Sequence, residues 1–296
     1  MNSTQKNLKK SQLFFSKNLD LFLDIGLSTY EKLMSKSIRI PFILVTIVFV
    51  IHSLLSIHVE SIQSINMVSV LMAAIFLACA CVLEAVNQGI ISLKYANNDL
   101  VKKAMRFIIS LPLKYLPTGL FFFLGQAKER DEPGKLKLIL KSNAISLSRY
   151  VFIGIFGYIY KITKINLYVL IPTMAPFYWL IGKQQMRAGR NFLSGSLNLL
   201  NVLANGFALY SLTARSPFDI HFLFEIMIAW QISWVIGFMS FISPGGLGVR
   251  DAILYGYLRE LGVANALLIV AAMRILQILV EVVLSLTCWL LAKRFK

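Results

Sequence analysis

Charged residues are scarce in this 296-residue chain: they make up 15% of it, whereas hydrophobic residues make up 57%. A soluble globular domain carries about 25% charged residues, so this composition argues against one. Several apolar runs reach the roughly 20 residues that a helix needs to cross a bilayer. The composition therefore predicts an all-α protein, a polytopic helical membrane protein.

Cysteine and histidine are rare as well, with three of each. The cysteines lie inside apolar runs, and neither they nor the scattered histidines show the spacing of metal ligands. No Gly-x-x-x-x-Gly-Lys-Ser/Thr loop for nucleotide phosphates occurs either. We therefore predict no metal site, no cofactor and no catalytic residues, and any uphill transport would need an ion gradient or a partner protein.

Acidic residues number 14 against 30 basic ones, which gives a net charge of +16. The basic residues cluster at the ends of apolar runs, as the positive-inside rule describes, so we expect no nucleic acid partner. Anionic lipid headgroups and the bilayer itself are the expected partners. The pattern predicts a multi-pass protein of the cell (inner or plasma) membrane with a cytoplasmic N-terminus, and a homo-oligomer is an open alternative to a monomer.

Residues 1–37 form a basic cytoplasmic segment in which Phe15, Leu19, Phe22 and Ile25 follow helical spacing. This segment is predicted to be either an interfacial helix or a solvated tail. Residues 38–296 are predicted to form a single transmembrane domain. Its predicted spans cover 38–57, 67–91, 139–160, 167–181, 197–212, 222–242 and 267–291, with a short helix at 252–261.

Two interruptions complicate the count of crossings. Residues 107–125 contain Pro112 and Pro117-Thr118-Gly119 and have basic residues on both flanks, which favours a re-entrant hairpin. A cytoplasmic C-terminus demands an even number of crossings, which is met if 244–262 also crosses. We therefore expect seven or eight transmembrane helices plus one or two broken or re-entrant segments.

The second interruption, residues 241–251, combines helix breakers with ionisable side chains, namely Pro244, Gly245, Gly246, Gly248, Arg250 and Asp251. Backbone groups freed at membrane depth must be buried in protein or line a wet cavity. A broken helix beside ionisable residues is typical of transporter sites, and the alternative is a tight cytoplasmic turn.

Charged residues inside the predicted spans are the other candidates for a site. Arg274 and Glu281 are seven residues apart and share a helix face, but two turns separate them, so each needs another partner. Glu84 and Glu225 each precede one of the two interruptions, and Arg149 and Arg274 each follow one about thirty residues later. This is a weak internal repeat, of the kind seen in transporters built from related halves.

Residues 243–251, Ser-Pro-Gly-Gly-Leu-Gly-Val-Arg-Asp, resemble the Pro-Gly-Gly-Leu-Gly-x-Arg-Glu signature of the flippase-like family. That family includes the transmembrane region of the bacterial lysylphosphatidylglycerol synthase. Residues 114–119, Lys-Tyr-Leu-Pro-Thr-Gly, resemble the family's Lys-Tyr-Leu-Pro-Gly stretch, and Arg274 and Glu281 resemble its last-span charges. Asp251 replaces the usual Glu, and Thr118 is inserted before Gly119.

The resemblance covers roughly residues 38–292, and it implies the lipid-handling region without the soluble aminoacyl-transferase domain. It points to a lipid or lipid-linked-intermediate translocase that binds an anionic headgroup. The alternatives are an integral membrane transferase and an accessory protein of envelope polysaccharide or lipid synthesis. The candidate substrate-binding residues are Glu84, Tyr115, Pro117, Gly119, Glu225, Pro244, Gly245, Gly246, Gly248, Arg250, Asp251, Arg274 and Glu281.

Overall fold

The computed structural model describes residues 66–92, 100–115, 135–163, 178, 181, 188–213, 218–239 and 248–294. The regular structure in these ranges is helical throughout, which confirms the predicted all-α class for this part of the chain. The α-helices are α1 (Met67–Ser92), α2 (Leu100–Ser110), α3 (Lys135–Thr163), α4 (Ala188–Leu212), α5 (Ile220–Met239), α6 (Val249–Glu260) and α7 (Ala266–Arg294). A 3₁₀ turn, Leu111–Tyr115, follows α2.

Four of these helices are long and apolar enough to cross a membrane: α1, α4, α5 and α7. The chain is therefore a helical membrane protein, with four candidate crossings in the described ranges. Helix α3 has 29 residues and is not among the four. Helix α6 has 12 residues. It is about 18 Å long, less than the roughly 30 Å of a hydrocarbon core.

The predicted N-terminal segment and first span lie outside the described residues, as does most of the span predicted at 167–181. Helices α1, α5 and α7 begin and end within a few residues of their predictions. Helix α4 differs, because it begins at Ala188 rather than at residue 197. Its first turns contain Asn191 and Ser194, polar residues typical of loops, and the protein buries both against neighbouring helices.

Local chemistry explains where several helices begin and end. Asp219 precedes α5, and its Oδ1 accepts hydrogen bonds from the backbone N–H groups of His221 at 2.9 Å and Phe222 at 3.2 Å. Pro112 follows α2, where the α-helix gives way to the 3₁₀ turn, because proline cannot continue the backbone hydrogen bonding. The predicted interruption at Pro112 is therefore present. The predicted re-entrant hairpin stays a prediction, because its turn at 117–119 lies outside the described residues.

The main hydrophobic core joins α1, α4, α5, α6 and α7. Its most buried members include Leu77, Leu209, Ile226, Leu254 and Met273, one from each helix. This core seats the short helix α6 against α5 and α7. The two arginines predicted for the site, Arg250 and Arg274, belong to these two packed helices, α6 and α7.

Helix packing follows the weak repeat seen in the sequence. Helix α1 packs against α2 as α5 packs against α6, and α1 packs against α7 as α5 packs against α3. Helix α4 contacts α1 and α5, and also α3 and α7. If α1, α2 and α3 are exchanged with α5, α6 and α7 in that order, most of the helix–helix contacts are reproduced. The exceptions are the contacts of α2 with α7, of α6 with α7 and of α1 with α3, which have no equally strong counterparts among the described residues.

Helix α3 packs tightly against α5 at Gly157, so a side chain there should weaken this packing. A Cβ at Gly157 would lie 2.5 Å from Ile228 Cγ2, whereas a Cβ at Gly154, one turn earlier, would lie 3.7 Å from Val235 Cγ2. We expect Gly157→Ala to destabilise the fold by about 1–3 kcal/mol. Gly154→Ala should be neutral or stabilising, since alanine favours a helix by about 1 kcal/mol.

Thermal unfolding of the two variants in one detergent tests this expectation. Equal unfolding temperatures would show that α3 and α5 do not meet closely at Gly157.

Candidate functional site

Helix α6 begins with a backbone conformation that only glycine adopts easily. Gly248 has φ = +86°, and its N–H donates a hydrogen bond to Asp251 Oδ2 at 3.2 Å. Asp251 therefore caps the helix as well as lying beside the site. The next turn places Arg250 against α5, where its side chain is 4% exposed.

Arg250 is held between an aromatic ring and a glycine on α5. Its guanidinium carbon lies 3.9 Å from the centre of the Trp230 ring, a close cation–π contact. A Cβ at Gly237 would lie 2.6 Å from the Cβ of Arg250 and 3.3 Å from its Cα. The missing side chain at Gly237 thus lets the backbone of α6 approach α5 and brings Arg250 to its buried position.

Helix α7 carries Arg274, Gln277 and Glu281 on one buried stripe. The Arg274 guanidinium lies over the Tyr115 ring, 5.4 Å from its centre. Glu281 Oε1 accepts hydrogen bonds from Lys114 Nζ at 2.5 Å and from Gln277 Nε2 at 3.0 Å. The expectation that Arg274 and Glu281 need separate partners agrees with this geometry, and Lys114 on the 3₁₀ turn is the partner of Glu281.

The gaps between these side chains form a narrow cavity in which no gap is large enough to hold a water molecule. A ligand can therefore enter only after a side chain moves. Three cations and two carboxylates lie in or beside it, which leaves one net positive charge. The cavity is lined by Trp230, Arg250, Asp251, Leu254, Val270, Met273, Arg274 and Gln277.

Several buried polar atoms in or beside the cavity lack a hydrogen-bond partner among the described residues. They are Nη2 of Arg250, the hydroxyl of Tyr115, Oε1 of Gln277 and Oε2 of Glu281. A buried polar atom left unpaired costs about 1–3 kcal/mol, so a cluster of such atoms is unusual in a purely structural core. The arrangement is suited to holding an anionic group that brings its own hydrogen-bonding atoms.

The structure brings together six of the residues predicted for the site, namely Tyr115, Gly248, Arg250, Asp251, Arg274 and Glu281. Pro117, Gly119, Pro244, Gly245 and Gly246 lie outside the described residues. Glu225 is half-buried and lies about 140° around α5 from Trp230, so it faces away from the cavity.

Glu84 belongs to a second polar cluster, formed by α1, α3 and α4. Its carboxylate accepts hydrogen bonds from Gln88 Nε2 at 2.8 Å and from the Tyr150 hydroxyl at 2.5 Å. Hydrogen bonds among Gln88, Asn87 and Ser146, and from Ser194 to Asn87, continue this cluster to Arg149. Glu84 therefore faces the protein interior, as its place in a span suggests, but not the cavity at Arg250.

Sequence reasoning did not select Lys114, Trp230 or Gly237. A signal existed for Lys114, because it directly precedes Tyr115 in the first Pro-Gly stretch. Trp230 and Gly237 lie on α5 and act across space on α6, so no spacing along the chain pointed to them. As for metal binding, the described residues contain no group of three or more histidine, cysteine, aspartate or glutamate side chains that could hold an ion.

Comparison with models of known protein families, with curated proteins and with solved structures gives no significant match. The assignment of a function therefore depends on the site itself.

The pair of Lys114 and Glu281 should contribute strongly to stability, because Glu281 is 1% exposed and the pair joins the 3₁₀ turn to α7. Removing one partner of a fully buried pair costs about 3–5 kcal/mol, because the other charge is left uncompensated. Lys114 is 26% exposed, so we expect a cost towards the lower end of this range, and the larger loss when Lys114 is removed and Glu281 is left unpaired. We expect Lys114→Met and Glu281→Gln each to lower the unfolding temperature markedly. The double variant should recover part of the loss, because neither charge remains.

The exposed pair of Lys161 and Glu260, which joins α3 to α6, is the matched control. Its side chains are 43% and 64% exposed, and exposed pairs contribute about 0–1 kcal/mol. If the variants of both pairs lost stability equally, the Lys114–Glu281 pair would not be a buried structural link.

Proposed function

We propose that this protein binds the anionic headgroup of a membrane lipid, or of a lipid-linked intermediate, and translocates it while the lipid tails stay in the bilayer. The observation that carries the proposal is Arg250: a buried guanidinium lying against Trp230, with Nη2 unpaired among the described residues. A cation at this depth in a helical membrane protein is expensive unless it has a function.

An anionic phosphate fits this site better than a cationic ligand does. Guanidinium groups present planar pairs of N–H donors that match phosphate oxygens, and Lys114 adds a third positive charge close by. Burial strengthens the attraction, because the local dielectric constant is far below that of water. Asp251 and Glu281 reduce the net positive charge without removing it, which keeps the empty site from carrying three unbalanced cations.

The position of the site favours a lipid over a soluble anion. Two of the helices that form it, α5 and α7, are candidate membrane spans. Helix α7 also exposes a row of apolar side chains, among them Leu279, Val283, Leu286 and Leu290. A headgroup can therefore reach the charged cavity from membrane depth while its tails remain against apolar surface.

The proposal includes the finer topology predicted from the sequence. It comprises seven or eight crossings with interruptions after α2 and before α6. It also places the chain in the plasma membrane, with its N-terminus on the cytoplasmic side. The 3₁₀ turn at Lys114 and the glycine-dependent start of α6 at Gly248 support the two interruptions. Both interruptions adjoin residues of the site.

Arg250→Ala should slow translocation at least about tenfold, because a charge-assisted hydrogen bond contributes roughly 1.5–3 kcal/mol. The measurement uses vesicles that contain the protein and a trace of phosphatidylglycerol labelled with a fluorophore on an acyl chain. Dithionite added outside bleaches the outer leaflet at once, and the rate of further bleaching reports transfer from the inner leaflet.

Arg259→Ala is the matched control, since Arg259 lies on the same helix and is exposed. It should translocate the labelled lipid at the wild-type rate. An Arg250→Ala variant as fast as the wild-type protein would remove the cavity from the pathway, and a wild-type protein no faster than empty vesicles would contradict lipid translocation.

Gly237→Ala should reduce translocation by displacing Arg250, because the added methyl group would push α6 away from α5. Gly256→Ala, on the exposed side of α6, introduces the same methyl group with nothing within 4 Å. We expect a severalfold loss in the first variant and none in the second. In the Arg250→Ala background Gly237→Ala should add little, because the residue that it displaces is already gone.

Equal activity of the two glycine variants would show that Arg250 does not depend on this close approach. A full additional loss in the Arg250→Ala background would show that Gly237 acts by another route.

A further inference from the structure

The unpaired atoms around the cavity are of two kinds. Arg250 Nη2 is a donor, whereas Gln277 Oε1 and Glu281 Oε2 are acceptors. Both acceptor side chains are buried, at 8% and 1% exposure, and lie one turn apart on α7. An anion alone can satisfy the donor, but its oxygens cannot satisfy the two acceptors.

The orientation of the Gln277 amide is fixed by its neighbour. Its Nε2 donates to Glu281 Oε1 at 3.0 Å, and a flipped amide would place two acceptor oxygens against each other. Oε1 must therefore be the atom turned towards the remaining space, and Gln277 lines the same cavity as Arg250. The gaps are too small for water, so water does not meet this acceptor in the closed form.

We propose that the site selects a headgroup that is both a phosphate anion and a hydrogen-bond donor, such as a phosphodiester bearing hydroxyl groups or a primary ammonium. This inference rests on the proposed function and adds the chemical class of the ligand. The phosphate contacts Arg250, and an O–H or N–H of the headgroup donates to Gln277 Oε1 and Glu281 Oε2. The Tyr115 hydroxyl, in electrostatic range of Lys114, Glu281 and both arginines, can donate to the phosphate or accept from the headgroup.

A headgroup without donors would leave these acceptors unpaired. A quaternary ammonium carries positive charge but no N–H, so phosphatidylcholine meets the charge of Glu281 without meeting its hydrogen-bonding need. A site built to hydrogen-bond a ligand rejects an analogue that lacks the group more strongly than an apolar site rejects a change in size. We therefore expect a preference of at least about tenfold for donor-bearing headgroups, the ratio equivalent to 1.4 kcal/mol.

Two pairs of lipids isolate the donor from the charge. Phosphatidylethanolamine and phosphatidylcholine are both zwitterionic and differ in their N–H groups. Phosphatidylglycerol and phosphatidylmethanol are both anionic and differ in their hydroxyl groups. Purified protein in detergent is mixed with equal amounts of both members of one pair, and native mass spectrometry gives the ratio of the two complexes.

The wild-type protein should favour the donor-bearing member by about tenfold or more in at least one pair, and the pair that responds shows whether amine or hydroxyl is recognised. Gln277→Leu should reduce that ratio towards one while phosphatidylglycerol still binds. Gln277→Met offers the same loss of acceptor with a more flexible side chain, should the leucine variant unfold.

Equal binding within both pairs by the wild-type protein would overturn the inference, as would a Gln277 variant that keeps the full preference. Neither result touches the proposed function, which fails instead if Arg250→Ala binds and translocates anionic lipid as the wild-type protein does.

Discussion

A guanidinium buried in an apolar interior needs compensation for its lost hydration, and the described residues around Arg250 supply only part of it. Burying an ion costs several kcal/mol even after the protein relaxes. A desolvated cation–π contact such as that with Trp230 returns about 2 kcal/mol. Asp251 contributes attraction from the same helix, but it also caps the helix through Gly248. The remaining shortfall is what an anionic ligand would meet.

Arg149 shows what a structural arginine looks like in the same protein. It is fully buried, but its terminal nitrogens donate to Ser194 Oγ at 2.6 Å, Asn191 Oδ1 at 2.7 Å and the backbone oxygens of Ile181 and Asn191. These neutral acceptors hold α3 to α4. Arg149 and Arg250 are both buried, but their guanidinium groups differ in the hydrogen bonds that they form. Arg149 joins helices, whereas Nη2 of Arg250 has no hydrogen-bond partner among the described residues.

The sequence allowed the helical class, most helix positions and six residues of the site to be predicted, because each depends on a local signal. Apolar runs define α1, α5 and α7, and the helix breakers at 241–251 indicated a short helix after them, which begins at Val249 rather than at the predicted residue 252. The early start of α4 could not be predicted this way, since asparagine and serine are typical of loops. Here their side chains form hydrogen bonds with α1 and α3, which only the folded protein brings close. Trp230 and Gly237 were missed for a related reason, because their effect on Arg250 is made across space.

Two lysine–glutamate pairs connect the halves of the weak repeat. Lys114 after α2 pairs with Glu281 on α7, and Glu260 at the end of α6 pairs with Lys161 on α3. Exchanging the two halves maps the elements that one pair joins onto those that the other joins, with the charges reversed and at different positions along α3 and α7. The first pair is buried beside the cavity and the second is exposed, so the same cross-half link has different environments. The exposed pair is the weaker link, since solvent screens its attraction.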